Sequence, residues 1–187
     1  MQPARETEIL ATGRFLRLVR RGHWEYVERV NTTGAVVIVA VTADNRLLLV
    51  EQFRLPLGCP VIELPAGLAG DSPQSRGEDL CEAARRELLE ETGYAARDML
   101  YLTDGPSSAG LSTEEYTLLR AVGLARVGRG GGDESEAIVV YEVPLADVPA
   151  WLDAQRQAGK KVDPRIYAGL YFVGLTQSRN HGNIAGS

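Results

Sequence analysis

Glu78-Asp79-Leu80-Cys81-Glu82-Ala83-Ala84-Arg85-Arg86-Glu87-Leu88-Leu89-Glu90-Glu91-Thr92-Gly93-Tyr94 is the stretch from which the rest of the chain can be read. Residues 78–92 contain no Gly or Pro and are rich in Ala, Leu, Glu and Arg, so they are expected to form one helix with Gly93 as its C-cap. At about 100° per residue, Glu90 and Glu91 fall on either side of Glu87 within an arc of about 100°, and three carboxylates share one face. Like charges at these spacings cost a helix a few tenths of a kcal/mol each, so a positive partner is expected. Arg86 stands four residues from both Glu82 and Glu90 and can bridge those two, which leaves Glu87 and Glu91. Clustered carboxylate oxygens are the hard ligand set that Mg²⁺ or Mn²⁺ prefers, with water and substrate phosphate completing the shell. A solvated acidic helix face has the same composition, and the cluster alone does not choose between them.

On the N-terminal side the chain reads as strands. Phe15, Leu16, Leu18 and Val19 are set among arginines, and Trp24, Tyr26 and Val27 among Glu25, Glu28 and Arg29, a hairpin turned at Arg21-Gly22-His23. Residues 34–42 and 47–53 are apolar, β-branched runs around Ala43-Asp44-Asn45-Arg46, expected as a second, more buried hairpin. A short strand at 61–64 follows, then a polar connection over 65–77 rich in Gly, Ser and Pro. Beyond the helix, 99–102, 116–122 and 138–143 carry strand patterns, with a loop at 128–132. Leu145, Val148, Trp151 and Leu152, and later Ile166, Leu170 and Val173, repeat at helical spacing. Residues 177–187 are polar and read as a flexible tail. Periodicity alone gives an α+β protein.

Composition narrows the class. A chain of 187 residues with 44% apolar and 24% charged residues is one ordinary globular domain, with at most a small appendage. Its net charge of −5 favours neither nucleic acid nor an anionic membrane, so an anionic substrate needs local neutralisation. The longest apolar run, 35–41, is far below the roughly 18 residues of a membrane span. The first eight residues mix charges where a secretory signal would be basic and then apolar, which points to the cytoplasm. Cys59 and Cys81 have no CxxC spacing and read as reduced thiols, and His23 and His181 are too few for a multi-histidine metal site.

The pattern Glu78-x7-Arg86-Glu87-Leu88-x-Glu90-Glu91-x-Gly93-Tyr94 resembles the Nudix hydrolase signature at every fixed position from its first Glu onward. That signature opens with a Gly six residues earlier, where this chain has Ser72. The Gly that fits is Gly67, in Glu63-Leu64-Pro65-Ala66-Gly67-Leu68, so ten residues stand where the signature has five. The insertion precedes the helix, and the acidic face is expected to be intact. Val50-Glu51-Gln52-Phe53-Arg54, the Glu63 segment, Ser112-Thr113-Glu114-Glu115 and Gly132-Asp133-Glu134-Ser135-Glu136 resemble the branch of that family acting on ADP-ribose and nucleoside diphosphate sugars. The resemblance implies an α/β/α sandwich around a mixed sheet over 34–176. It also implies an N-terminal β subdomain over 1–33, exchanged between the subunits of a homodimer.

Carried over residue by residue, the resemblance implies that Glu87, Glu90 and Glu91 ligate two or more Mg²⁺ ions, with the Ala66 carbonyl as a backbone ligand and Mn²⁺ able to substitute. Arg54 would hold the diphosphate, with Glu63 in the same substrate-binding set. A surface salt bridge is the plainer reading of Arg54, disfavoured because no carboxylate stands at adjacent strand spacing. Glu134 or Glu136 would be the base that activates water, next to Glu90 in the catalytic set, with Glu114 and Glu115 as the following candidates. Trp24 and Tyr26 would stack on the nucleobase, or else pack in the core or a dimer contact. ADP-ribose pyrophosphatases usually carry a Pro fifteen or sixteen residues past the signature, where this chain has Ala109 and Gly110, so GDP-mannose and UDP-glucose stay beside ADP-ribose as substrates. Two rivals fare worse. Gly105-Pro106-Ser107-Ser108-Ala109 ends in Ala and has no nearby strand-to-helix turn, against a serine hydrolase. A non-catalytic nucleotide sensor of the same fold would be expected to lose carboxylates that this chain keeps.

Overall fold

The computed structural model describes residues 6–70, 75, 77–132 and 137–182. In chain order the elements are β1 (Thr7–Thr12), β2 (Leu16–Arg21), β3 (Trp24–Arg29), β4 (Gly34–Ala40), β5 (Arg46–Arg54), β6 (Cys59–Glu63), β7 (Ala66–Ala69) and α1 (Leu80–Thr92). After them come β8 (Tyr94–Pro106), β9 (Glu115–Arg126), β10 (Val139–Pro144), α2 (Val148–Gln157), β11 (Lys161–Val162) and α3 (Arg165–Gly182). Two four-stranded sheets form the centre, ordered β7-β4-β9-β8 and β10-β5-β6-β11, beside a three-stranded sheet β1-β2-β3. Both central sheets are mixed: β4 runs parallel to β9 and β11 parallel to β6, and the other pairs are antiparallel.

Strand alternation builds the layers. Val36, Ile38 and Ala40 pack with Ala83, Ala84 and Leu88 of α1, while Val37 and Val39 pack with Leu152 of α2 and Ile166 of α3. β4 is thus buried on both faces, as its unbroken apolar run requires. The α/β/α sandwich implied by the resemblance is the architecture found. Leu88 is fully buried, and its truncation to Ala would cost about 2–5 kcal/mol.

Three local readings need correction. The runs at 34–42 and 47–53 do not pair as a hairpin; their one ladder contact is the isolated Val41–Leu47 bridge, after which β4 and β5 belong to different sheets. Each is buried and needs ladder partners on both edges, which one hairpin cannot supply. The connection read at 65–77 contains β7, which pairs with β4 from Gly34↔Ala69 to Val37↔Ala66. β1 adds an unforeseen third strand to the N-terminal hairpin, whose turn is made by Gly22, at φ 68°, and His23.

The helix starts at Leu80 because the Asp79 carboxylate accepts from the backbone N–H groups of Cys81 and Glu82, both at 2.8 Å. It ends at Gly93, φ 75°, where a Cβ would lie 2.4 Å from the Gly128 carbonyl oxygen. α3 continues to Gly182, into the stretch read as a tail. The N-terminal sheet is tied to the central domain through β3. Val27 N–H donates to the Leu111 carbonyl at 2.8 Å, Thr113 N–H to the Val27 carbonyl at 3.2 Å, and the Trp24 indole to the Gly110 carbonyl at 3.3 Å. No helix among the described residues is long and apolar enough to cross a membrane.

Candidate active site

A cavity of about 840 Å³ opens between the two central sheets. One wall is a face of β5-β6-β11, where Gln52 stands beside Val61 and Val61 beside Lys161. Opposite it, Ala66, Gly67 and Leu68 of β7 and Glu87 and Glu91 of α1 contribute to the lining. Pro56 and Leu57 come from the β5–β6 turn, and Arg29 and Glu114, an ion pair, join the lining from the N-terminal side.

Arg86 organises the acidic side. Its Nε and Nη2 donate to Glu78, each at 3.1 Å, Nη1 to Glu87 at 2.8 Å and to Glu90 at 3.2 Å, and Nη2 also to the Leu68 carbonyl at 3.0 Å. Hydrogen bonding to Glu78, then the charges of Glu87 and Glu78, hold its pKa above the ordinary value against the effect of burial. Of the expected Glu82–Arg86–Glu90 bridge the Glu90 half is present, and the Glu82 half is corrected to Glu78. Because the helix begins at Leu80, Glu78 lies beyond its end and can fold back onto Arg86, and Glu87 shares that guanidinium. Glu91, 5% exposed, accepts the Ala66 N–H at 3.1 Å, which ties α1 to β7.

This donor set fits a hard divalent cation. Gly67 leaves the space in which Glu87 sits, since a Cβ there would lie 1.9 Å from the Glu87 Cδ. Among the described residues no three His, Cys, Asp or Glu side chains form a ready cage. Mg²⁺ does not need one, because it keeps several waters and binds through one or two carboxylates together with substrate phosphates.

The other side of the cavity is a chain of alternating charge. Arg54 Nε donates to Glu63 Oε2 at 2.7 Å, and Arg165 Nη2 lies 3.5 Å from Glu63 Oε1. Arg165 is also held by Asp163, which accepts its Nε at 2.8 Å and its backbone N–H at 2.7 Å. Burial works against the Arg165 charge, but Asp163 and Glu63 keep its pKa above the ordinary value. The salt bridge disfavoured for Arg54 is thus present: no carboxylate stands at adjacent spacing on its own strand, but Glu63 reaches it from β6. Although Glu63 is registered opposite Val50, the two residues lie on one sheet face and both side chains are long enough to meet.

The remaining expected residues divide. Ala66, Glu87, Glu91, Arg54 and Glu63 line the one cavity. Glu90 is half exposed on α1, bonded to Arg86 and outside the lining. Trp24, half exposed, and Tyr26 lie on β3 and do not contribute to this cavity. Glu114 does, and with Arg29 and Glu115 it also borders a smaller pocket of about 220 Å³. Glu134 and Glu136 lie outside the described residues. Sequence reasoning missed Lys161, Asp163 and Arg165; the one available signal was a charged cluster, 160–165, just ahead of a helix.

A carboxylate-bearing helix and a guanidinium-bearing sheet facing one cavity in an α/β/α sandwich are the parts that a metal-assisted hydrolase of phosphoanhydride bonds uses. The NUDIX domain model matches residues 31–166, and the chain belongs to that family. It is 33% identical over 183 residues to a methanol dehydrogenase activator of Bacillus methanolicus, covering 94% of each chain. It is 36% identical over 121 residues to an ADP-ribose pyrophosphatase of Bacillus subtilis (strain 168), covering 64% of this chain and 63% of that one. A crystal structure of an ADP compounds hydrolase superposes with a TM-score of 0.69 at 23% identity, over 94% of this chain and 93% of that one, which supports the fold alone.

Proposed function

We propose that the chain hydrolyses the diphosphate linkage of ADP-ribose, giving AMP and ribose 5-phosphate, with Mg²⁺ as cofactor and Mn²⁺ as a substitute. The observation that carries this reading is the single cavity with Glu87 and Glu91 on one side and the Arg54–Glu63–Arg165 chain on the other. In the reaction a water oxygen bonds to one phosphorus, the bridging P–O bond breaks, and the bridging oxygen leaves on the second phosphate. Bound metal would neutralise the phosphate oxygens and polarise the phosphorus. Arg54 and Arg165 orient the diphosphate, and Glu63 holds both guanidinium groups in place. Glu134 takes the proton of the attacking water, with Glu136 as the alternative; both assignments rest on the family resemblance. In this reading the protein is a cytoplasmic homodimer. Residues 1–33 form the subdomain exchanged between subunits, and Trp24 and Tyr26 stack on the base across the dimer. The exposed Ile9, Phe15 and Trp24 of the N-terminal region support an association there.

The test is kcat/KM for ADP-ribose, ADP-glucose, GDP-mannose, UDP-glucose and nucleoside triphosphates, each with Mg²⁺, with Mn²⁺ and with chelator. The expected result is a preference for ADP-ribose that disappears with chelator. A hexose substrate ahead by tenfold, about 1.4 kcal/mol of transition-state preference, would move the assignment to a hexose nucleotide. Triphosphates ahead of all four would overturn the diphosphate-sugar reading. The near full-length relative named as a methanol dehydrogenase activator favours a second reading, action on a partner dehydrogenase. A rise in methanol dehydrogenase turnover on adding this chain would support it.

A further inference from the structure

Two adjacent lysines, Lys160 and Lys161, stand where α2 gives way to β11, and they take opposite sides of the sheet. Lys160 Nζ donates to Glu51 Oε2 at 2.7 Å, and the same oxygen accepts the Tyr141 hydroxyl at 2.7 Å. Tyr141 packs against Trp151 of α2, so this anchor lies on the helix side. Lys161 faces the other way. It is registered beside Val61, which is registered beside Gln52, and the three together line the cavity. The register is fixed from both ends, because Lys160 N–H donates to the Gln155 carbonyl at 3.1 Å and Asp163 N–H to the Ile62 carbonyl at 2.9 Å. A slip by one residue would exchange the two ammonium groups.

The cavity's other cations are already balanced. Arg29 is paired with Glu114, Arg54 with Glu63, and Arg165 with Asp163 and Glu63. Among the described residues Lys161 has no ion-pair partner, and it is exposed. A compact ammonium without a carboxylate beside it is free to meet an anionic ligand oxygen, and three donors on a flexible stem allow it to follow that oxygen. We propose that Lys161 is a substrate-binding residue that takes a non-bridging phosphate oxygen of the diphosphate, and that Lys160 is its structural counterpart, which holds the register. This rests on the reading of the cavity as a diphosphate site, and it assigns the lysine independently of whether that diphosphate is cleaved.

The experiment is calorimetric titration of the full chain with ADP and Mg²⁺, comparing wild type with Lys161→Gln, Lys161→Arg and Lys160→Gln. The expected result is about tenfold weaker ADP binding for Lys161→Gln, a gap that narrows at high salt, and near wild-type binding for Lys161→Arg. Lys160→Gln is expected to lower the melting temperature and leave ADP affinity within about twofold. ADP affinity of Lys161→Gln within twofold of wild type overturns the proposal, and so does a wild-type protein that does not bind ADP. Lysine-dependent ADP binding in a protein that hydrolyses no nucleoside diphosphate sugar would sustain this inference while refuting the hydrolase reading.

Discussion

Gly67→Ala tests the acidic side of the cavity with a single methyl group. Gly67 is not among the residues with positive φ, so alanine brings no backbone strain there. The added Cβ would lie 1.9 Å from Glu87 Cδ, 2.1 Å from its Oε1 and 2.3 Å from its Cγ. Ordinary contact begins near 3.4 Å, so the carboxyl group must withdraw by roughly 1.5 Å. A displacement of about 1 Å in a catalytic constellation costs on the order of 10²-fold. The accompanying loss of stability is modest. Releasing Glu87 from Arg86 forfeits an incompletely buried ion pair, about 0–1 kcal/mol, and an off-rotamer side chain adds about 1 kcal/mol. At about 2–4 °C per kcal/mol for a domain of this size, Tm falls by only a few degrees. The assay is AMP release from ADP-ribose at saturating Mg²⁺, beside thermal unfolding, with Gly105→Ala as the control because a Cβ there meets nothing within 4 Å. We expect kcat/KM to fall about 10²-fold for Gly67→Ala and to stay unchanged for Gly105→Ala. A Gly67→Ala enzyme within threefold of wild type would refute the argument that Glu87 acts from the position it occupies.

Further outcomes follow from individual residues. Glu91→Gln should lower kcat by at least about 10²-fold with the fold retained, whereas Glu90→Gln, half exposed and outside the cavity lining, should lose less; equal losses in steady-state assays would contradict this ranking. Glu134→Gln should slow turnover far more than it weakens substrate binding, and if Glu136→Gln is the crippling change instead, the base is reassigned. Burial opposes the Glu51 charge, yet hydrogen bonds from Lys160 and Tyr141 hold its pKa below the ordinary 4.5. A depressed folded pKa gives stability that is present above about pH 4.5 and lost as pH falls through the folded value. Glu51→Gln should therefore flatten the acid limb of Tm against pH, and an unchanged limb would show that the pair contributes little.

What was legible in the sequence was mostly local. The helix, its Gly93 stop and the carboxylates at positions 87, 90 and 91 follow from propensity and angular spacing, which a short window contains. Arg86 keeps its expected partner Glu90, but its other partner is Glu78 rather than Glu82, because that one depends on where the helix begins. The Asp79 cap sets that boundary, and a two-residue shift turns Glu78 from a helical residue into a side chain that returns to the guanidinium. The cationic wall was illegible for a stronger reason. Arg54, Glu63, Lys161 and Arg165 come together only through the β5-β6-β11 register, and β11 is two residues long, too short to show a period. Reading 34–53 as one hairpin hid this further, since it placed in one sheet two strands that the fold assigns to different sheets.

That division matters for the chemistry. Glu87 and Glu91 are carried by α1, which packs on β4 and β7 of one sheet, while Arg54, Glu63 and Lys161 belong to the strands of the other. The separation of the acidic and cationic sides is therefore set by how the two sheets pack, not by any one strand pair. Leu48 couples them. It lies on β5 but is fully buried in the cluster formed by Val36, Ile38 and Leu88, while its neighbours Leu47 and Leu49 point into the α2–α3 core. With both faces of β5 committed to different cores, the strand cannot shift by one residue without driving Leu48 out of one and Leu47 and Leu49 out of the other. The same alternation that hides these leucines directs Gln52 and Arg54 to the cavity and Glu51 to Lys160 behind it. Core packing on both faces of β5 thus anchors the cationic side of the cavity to the same two cores that carry the acidic side.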